Sequence, residues 1–359
     1  MKSKFINGSL LAVSILLALF LGETMSRIIL NPVDNGFVPD SADIVAIGDS
    51  QTFGINASIG SSWPAQLQNM SNKSVYNLSL SGYGPAQYFH LFKTKALELN
   101  PDQIIVGYYV GNDPLDTFDR VYNHQAWEKL RNTEFSSWLA DAKSDTLTYL
   151  TANVFKTPAG ALLNKFHDWM TGNSILYRLA FHNPATSGLD FAPEDHSESK
   201  MYTSLVLPGK NISEVFRPVP TAVATEISNK KVQEGLRLTL QLFKKMSERS
   251  KQEGIEFTVL FIPTKEMVFC HYLYNNRQLR HSKAINNLLN NERIIREISI
   301  KYFMKHNIDF VDALPLMQRK IDTKKLYPPT YNHHPNDKGY YLIAKSVFNK
   351  MQATNIVAK

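Results

Sequence analysis

Short runs of β-branched and aromatic residues alternate with amphipathic stretches along most of the chain. The composition of buried strands occurs at 44–47, 75–80, 103–110, 257–262 and 310–312. Apolar residues recur with helical spacing at 62–70, 85–99, 226–253, 287–307 and 337–351. Strand followed by helix, repeated in this way, predicts a parallel sheet covered by helices. We therefore expect an α/β fold, a three-layer α/β/α sandwich around a central parallel sheet of about five strands.

Residues of about 120–215 interrupt this alternation. They contain aromatic-rich pieces with helical spacing and a polar section at 184–200. We interpret the segment as a helical insertion between core strands, which would form a lid or a surface for a partner. No internal repeat is visible in the sequence, so the chain is not a solenoid or another repeat protein.

The amino terminus has the features of a membrane-targeting segment. Lys2 and Lys4 precede an 18-residue stretch, Phe5 to Gly22, whose only polar members are Asn7, Ser9 and Ser14. A helix of that length just crosses a hydrocarbon core of about 30 Å. The stretch ends in 21–25 without the small residues of a cleavage site. We expect an uncleaved signal anchor at 1–30, a transmembrane helix with the remaining domain, 31–359, outside the cytoplasm; the alternative is a buried core helix.

Composition and charge exclude several classes of protein. Hydrophobic residues make up 43% of the 359 residues, which excludes intrinsic disorder as the main state. The net charge of +7 is spread without a dense basic run, so we expect no nucleic-acid partner. A single cysteine, Cys270, excludes an intrachain disulfide. We also expect no metal, because alternate acids such as Asp113, Asp116 and Asp119 are commonly solvated in loops.

Small and polar residues gather where four predicted elements begin or end. The blocks are Gly48-Asp49-Ser50-Gln51-Thr52-Phe53-Gly54, Ser79-Leu80-Ser81-Gly82-Tyr83-Gly84, Gly111-Asn112-Asp113 and Asn332-His333-His334-Pro335-Asn336. Three follow predicted strands, and the fourth precedes the last helix. Ligands of open α/β sheets bind in the crevice beyond the carboxyl ends of the strands. One crevice can thus gather a nucleophile, oxyanion donors and a base.

The four blocks, in this order, resemble the SGNH (GDSL) hydrolase superfamily. The match spans most of residues 43–350, apart from the insertion. The resemblance implies a flavodoxin-like topology and no cofactor. It implies that Ser50 is the nucleophile and His334 its base. It also implies an oxyanion hole made by the backbone N–H groups of Ser50 and Gly82 and the side-chain amide of Asn112. A serine hydroxyl needs such an adjacent base to become reactive.

Each of these residues also has an ordinary structural interpretation. Ser50 can be a helix N-cap, and Gly82 can simply permit a turn. Asn112 can cap the turn that follows it. His334 can be a surface loop residue, and His333 can be the base in its place.

The sequence departs from the family pattern next to the histidine. The family places an aspartate two or three residues before it, where this chain has Asn332 and Tyr331. An asparagine can accept a hydrogen bond from the imidazole Nδ1–H, but it cannot stabilise an imidazolium by charge. We expect Asn332 or a backbone carbonyl to orient His334, with Asp322 as an alternative partner.

Taken with the anchor, the resemblance implies a bacterial inner-membrane protein with its hydrolase domain in the periplasm or outside the cell. The predicted activity is a serine ester hydrolase that removes acyl groups, most simply acetyl, from a carbohydrate or lipid. One alternative is an O-acetyltransferase that modifies an exopolysaccharide or envelope glycan. A second is a catalytically weak or silent binding protein that keeps the crevice for recognition. The oligomeric state is not predicted.

Overall fold

The computed structural model describes residues 14, 17–22, 24, 39–135, 203–207 and 212–357. The predicted signal anchor at 1–30 and the middle of the predicted insertion, 136–202, fall largely outside these residues. Among the residues described, no helix is both long enough and apolar enough to cross a membrane.

Seven strands form a sheet and a separate ribbon in the part of the chain that is described. They are β1 (Ile44–Ile47), β2 (Val75–Asn77), β3 (Gln103–Tyr109), β4 (Thr203–Leu207), β5 (Ile212–Phe216), β6 (Glu256–Ile262) and β7 (Asp309–Asp312). The sheet has the order β2-β1-β3-β6-β7, and all its neighbours pair in parallel. Counted within the sheet this is 2-1-3-4-5, the flavodoxin-like order. The predicted α/β fold with a five-stranded parallel sheet is confirmed.

Helices connect and cover these strands. They are α1 (Ser50–Phe53), α2 (Trp63–Ser71), α3 (Pro85–Leu91), α4 (Asp113–Asn123), α5 (Pro218–Ala224), α6 (Lys230–Gln252), α7 (Lys265–Val268), α8 (Cys270–Asn275), α9 (Lys283–Lys305), α10 (Leu314–Gln318) and α11 (Asp337–Val357). The predicted helix at 85–99 is α-helical only in α3. A π-helical turn, Phe92–Ala96, and a 3₁₀ turn, Leu97–Leu99, continue it to β3.

The sheet separates two hydrophobic cores. Every residue of β1 is buried, which is typical of a parallel strand covered on both faces. Ile44 packs in one core with Trp63 of α2 and Tyr340 of α11. Val45 points the other way, into a core shared with Phe243 of α6 and with α3. Helices therefore lie on both faces of the sheet, as the three-layer prediction requires.

The predicted insertion has two described ends: 120–135 is largely helical, with a 3₁₀ helix at Gln125–Leu130, whereas the carboxyl-terminal end is β-structure rather than helix. β4 and β5 pair antiparallel with Leu205 opposite Glu214. In β5 buried Ile212 and Phe216 alternate with more exposed positions, a period of two residues that a helix cannot place on one face. Leu205 joins them in the core that contains α11. The prediction of a helical insertion is thus wrong for these residues.

The helix α1 lies unusually close to the sheet. A Cβ atom added to Gly48 or Gly107 would lie 2.1 or 2.2 Å from the Thr52 hydroxyl oxygen. Only glycine at both positions allows Thr52 to sit between the ends of β1 and β3. Ser50, two residues before Thr52, is thereby held at the carboxyl edge of the sheet.

Candidate active site

Asp49 caps the start of α1, so the neighbouring Ser50 hydroxyl is not needed as a cap. The Asp49 side chain accepts a hydrogen bond of 2.9 Å from the backbone N–H of Gln51, so Asp49 is the N-cap. The interpretation of Ser50 as the cap is wrong. Burial raises the pKa of Asp49 to about 7, against hydrogen bonds that favour its charged form. Gly54 then ends this short helix with a φ of +96°.

A continuous hydrogen-bond chain joins Ser50, His334 and Asn332. The Ser50 Oγ lies 2.8 Å from His334 Nε2, and His334 Nδ1 lies 2.7 Å from Asn332 Oδ1. Asn332 Oδ1 also accepts the backbone N–H of His334 at 3.0 Å. Because an amide oxygen only accepts, this arrangement requires the proton on Nδ1. The lone pair of Nε2 then faces the serine hydroxyl.

The environment of His334 keeps its imidazole neutral. The side chain is 8% exposed. Burial, together with the nearby His333, lowers the pKa of His334 well below the usual 6.5. The alternative partner Asp322 is exposed and accepts a hydrogen bond from the Tyr272 hydroxyl instead. Asn332 is therefore the group that orients His334.

His333 occupies a different position from its neighbour. Its ring stacks on Tyr109 at 5.9 Å between centroids and on His334 at 4.5 Å. Burial, with the positive charges of Arg217 and Lys265, lowers the pKa of His333 to about 4. The Ser50 hydroxyl contacts His334, so the interpretation of His333 as the base is not supported by the geometry.

The backbone N–H groups of Ser50 and Gly82 are the two main-chain donors that the family resemblance assigns to the oxyanion hole. Leu80 donates to the Gly48 carbonyl at 3.2 Å, which holds the segment after β2 against the end of β1. Gly82 follows with a φ of +76°, a conformation that favours glycine, and it is exposed. Within the described part of the chain, no hydrogen bond uses the backbone N–H of Ser50 or Gly82. Both N–H groups are therefore uncommitted among the described hydrogen bonds.

Asn112 follows β3, the strand next to β1. Its backbone carbonyl accepts the N–H of Asp116 at 2.9 Å, while its side chain makes no capping bond to α4. The capping interpretation of this side chain is wrong. The Asn112 side chain instead lies near Asp49 and acts to lower the pKa of its carboxyl, against the larger effect of burial. A third hydrogen-bond donor thus lies beside the residue that precedes Ser50.

Asp113 is buried rather than solvated, contrary to the expectation from its loop position. Its carboxylate accepts the Tyr88 hydroxyl at 2.8 Å and the Tyr109 backbone N–H at 3.0 Å. Burial, followed by the charge of Asp49, raises the pKa of Asp113 well above its usual range. Its contacts belong to the scaffold beneath the site. Across residues 39–135, 203–207 and 212–353, no three metal-type ligands converge.

Asn56 is a residue of the site that the sequence patterns did not single out. Its side-chain Nδ2 donates to the His334 carbonyl at 3.0 Å, and its Oδ1 accepts from Asn332 Nδ2 at 3.2 Å. Its φ is +70°, where asparagine is among the few tolerated non-glycine residues. An asparagine soon after a helix-ending glycine is the only signal the sequence contained.

The loop after α1 is fastened to the start of α11. The carboxylate of Asp337 accepts the backbone N–H of Ser58 at 2.7 Å and its hydroxyl at 2.8 Å. The Tyr340 hydroxyl donates to the Ile55 carbonyl at 2.8 Å. These contacts lie on both sides of Asn56 and fix the serine-bearing segment against the histidine-bearing loop.

A buried cation connects the ribbon to that same loop. Lys265, 1% exposed, lies 2.7 Å from the carboxylate of Glu214 in β5. Its ammonium also donates to the carbonyls of Val215 and Thr330, each at 3.1 Å. Burial lowers the pKa of Lys265, and the charge of Glu214 opposes that shift. The carboxyl-terminal end of the insertion is thereby attached two residues before Asn332.

Comparisons with known proteins give similarities to solved structures only. No protein-family profile matches this chain, and no curated protein matches it. An extracellular lipase from Streptomyces rimosus is 12% identical, with 85% of this chain and 98% of that chain covered and a TM-score of 0.42. A catalytic mutant of an acetylxylan esterase from Geobacillus stearothermophilus is 10% identical, with 87% and 95% covered and a TM-score of 0.39.

A GDSL-like lipase from Bacteroides thetaiotaomicron is 11% identical, with 92% of this chain and 95% of that chain covered and a TM-score of 0.37. The chain is thus similar to solved structures of a GDSL-like lipase, an extracellular lipase and an acetylxylan esterase.

Proposed function

We propose that this protein is a serine ester hydrolase of the SGNH class. The observation that carries the proposal is the hydrogen-bond chain from Asn332 Oδ1 through His334 to the Ser50 hydroxyl. A neutral imidazole with its Nε2 lone pair on a serine hydroxyl is the arrangement needed to activate that hydroxyl as a nucleophile.

The reaction proceeds in two acyl-transfer steps. Ser50 Oγ attacks the carbonyl carbon of the ester while its proton passes to His334 Nε2. The resulting tetrahedral oxyanion accepts hydrogen bonds from the N–H groups of Ser50 and Gly82 and from the Asn112 amide. The C–O bond to the alcohol then breaks, and His334 returns the proton to the leaving alkoxide. Water hydrolyses the acyl-Ser50 ester in the same way, with His334 taking and returning the proton.

Asn332 acts on His334 through geometry and not through charge. In a serine protease, exchange of the triad aspartate for asparagine lowers kcat by about 10⁴, chiefly because the histidine takes the wrong tautomer. Here the amide oxygen faces Nδ1, at 2.7 Å, so the productive tautomer is retained. The imidazolium that forms in each step lacks an anionic partner at position 332. We therefore propose an active enzyme whose rate is limited by that missing charge.

We assign the substrate to acylated carbohydrates or lipids outside the cytoplasm, with acetyl as the simplest acyl group. Support comes from the resemblance of the four blocks and from the basic, then apolar, residues at 1–30. A signal anchor there would hold the enzyme at the inner membrane, with its domain in the periplasm or outside the cell.

Ester hydrolysis by the full-length protein in detergent micelles tests the proposal. p-Nitrophenyl acetate and butyrate report acyl transfer to Ser50 regardless of the natural substrate. We expect Ser50→Ala and His334→Gln to abolish turnover, while Ser228→Ala, an exposed serine before α6, retains it. Equal hydrolysis by the wild type and Ser50→Ala would contradict the assignment of the nucleophile. A folded wild type without any turnover would favour the silent binding protein.

O-acetyl transfer is the second candidate. His334 is 8% exposed, so bulk water has restricted access to the base. A glycan hydroxyl that binds in the crevice can then compete with water for the acyl-Ser50 ester. Product formation that accelerates on addition of a glycan acceptor, with an acetylated glycan detected by mass spectrometry, would favour the transferase over the hydrolase.

A further inference from the structure

The Asn56 side chain, in the loop after α1, forms hydrogen bonds to both His334, the proposed base, and Asn332, which orients it. Asn56 donates from Nδ2 to the backbone carbonyl of His334 at 3.0 Å. Its Oδ1 accepts from Nδ2 of Asn332 at 3.2 Å. Both ends of the Asn56 amide are therefore committed, one to each residue.

The polarity of these two bonds determines what position 332 can be. One terminal atom at that position must accept from His334 Nδ1, and the other faces Asn56 Oδ1. An amide satisfies both demands, because its nitrogen donates to Oδ1. A carboxylate would set its second oxygen against another oxygen. If the Asn56 amide rotated by half a turn, its nitrogen would face the carboxylate, but its oxygen would then face the carbonyl oxygen of His334 and repel it.

Asn56 has little freedom to withdraw from this contact. The Ser58–Asp337 and Tyr340–Ile55 hydrogen bonds fix the loop on either side of it. Its backbone is also in the left-handed region, with a φ of +70°. A partly buried, fully committed amide in a fixed loop is expensive to leave unsatisfied.

We infer that Asn56 is a positioning residue that selects an amide over a carboxylate at position 332. The asparagine in place of an acid at position 332 is then matched to a second asparagine, Asn56, which lies 276 residues away in sequence and bonds to it. The kinetic part of this inference rests on the proposed ester hydrolysis, whereas the structural part does not.

A double-mutant cycle tests the kinetic part in the full-length protein. The set is the wild type, Asn56→Gly, Asn332→Asp and the combination, measured as kcat/KM for p-nitrophenyl acetate. Glycine at 56 keeps the left-handed backbone and removes the opposing oxygen. We expect the effect of Asn332→Asp on kcat/KM to be about tenfold more favourable in the Asn56→Gly background.

A matched control separates this coupling from the general cost of a glycine. Asn307 is exposed, has a φ of +51° and lies at the end of α9, away from the site. Asn307→Gly should leave the effect of Asn332→Asp as it is in the wild type. If the effect agrees within about twofold in the Asn56→Gly and wild-type backgrounds, the inference is wrong.

Nitrogen-15 NMR of histidine-labelled protein gives a readout that needs no turnover. The Nδ1–H signal of His334 is assigned by its loss in His334→Gln. A carboxylate acceptor moves that proton downfield. We expect this downfield shift in the double variant. In Asn332→Asp alone the shift should be smaller or absent. Identical signals in those two proteins would overturn the role of Asn56. If no protein in the set hydrolyses esters, the proposed function fails while the NMR result still decides on Asn56.

Discussion

The imidazole rings of His333 and His334 stack at 4.5 Å between centroids, and His333 in turn stacks on Tyr109 of β3. His334, the proposed base, thus packs against a second histidine, which packs in turn against a tyrosine ring. Both imidazoles lose hydration in this arrangement, and the pKa of each is lowered as a result.

The first prediction concerns the pH dependence of hydrolysis. Neutral His334 is the proposed base, and burial lowers its pKa well below 6.5. The acid limb of a plot of kcat/KM against pH should therefore fall below pH 6.5, in contrast to a solvated histidine. We expect p-nitrophenyl acetate hydrolysis to remain on its plateau at about pH 6. An acid limb centred at or above 6.5 would contradict a desolvated base.

His333 should make stability depend on pH. Its pKa is about 4 in the folded protein and near 6.5 in the unfolded chain. As the pH falls through this window, the unfolded chain binds the proton first, so this residue's contribution to stability is lost. His333→Phe keeps a stacking ring and removes the titration. The Tm of the variant should rise relative to wild type between about pH 7 and pH 4.5. A Tm difference that does not change with pH would exclude this contribution.

Asn112 should contribute to the rate more than to substrate binding. Removal of one side-chain oxyanion donor lowers kcat by about 10²–10³ in another serine hydrolase. We expect Asn112→Ala to lower kcat to that extent with little change in KM. Asn123→Ala, at the exposed end of the same helix, is the matched control. A normal kcat in Asn112→Ala would remove this amide from the oxyanion hole.

Alanine at Gly82 and at Gly254 should distinguish the backbone strain of the substitution from the proposed role of Gly82 as an oxyanion donor. Gly82 and Gly254 have φ values of +76° and +72°, and a Cβ at either would meet no atom within 4 Å. Alanine at either position should cost about 1–2 kcal/mol of stability from backbone strain. Only Gly82→Ala should also lower kcat, because it disturbs a proposed oxyanion donor. Equal kcat values in the two variants would show that Gly82 serves the turn alone.

Replacing one partner of the buried Lys265–Glu214 ion pair should lower the free energy of unfolding strongly. The two side chains are 1% and 5% exposed. Lys265→Met leaves a buried carboxylate without its partner, which costs about 3–5 kcal/mol in comparable pairs. Adding Glu214→Leu should recover much of that loss. Urea unfolding measures both, and an equal stability of the single and double variants would contradict a coupled pair.

The strands of the sheet could be predicted from local sequence patterns, because each is a short buried run of hydrophobic residues. The run at 44–47 and the run at 257–262 each match an observed strand to within one residue. The strand-ending blocks likewise place Ser50 and Asn112 just after neighbouring strands, since parallel strands end at one edge. Such features depend on residues close together in the chain.

The remaining features depend on partners that are distant in sequence. Asn56 is an ordinary loop residue until its bonds to His334 and Asn332 are known. Asp113 is polar by type, and its burial becomes tolerable through hydrogen bonds from the Tyr88 hydroxyl and the Tyr109 backbone N–H. The ribbon strand β5 is five residues long, too short for its alternation to outweigh the helical spacing around it.

The contact between Ser50 and His334 joins positions 284 residues apart, the start of the short helix after β1 and the loop before the last helix. A nascent chain therefore carries a serine without its base until almost the whole domain has been synthesised and α11 has docked. The proposed ester chemistry would be withheld from every form in which these two side chains have not yet met. Recovery of activity during refolding is then the last event to be observed, later than the return of helical and strand signals.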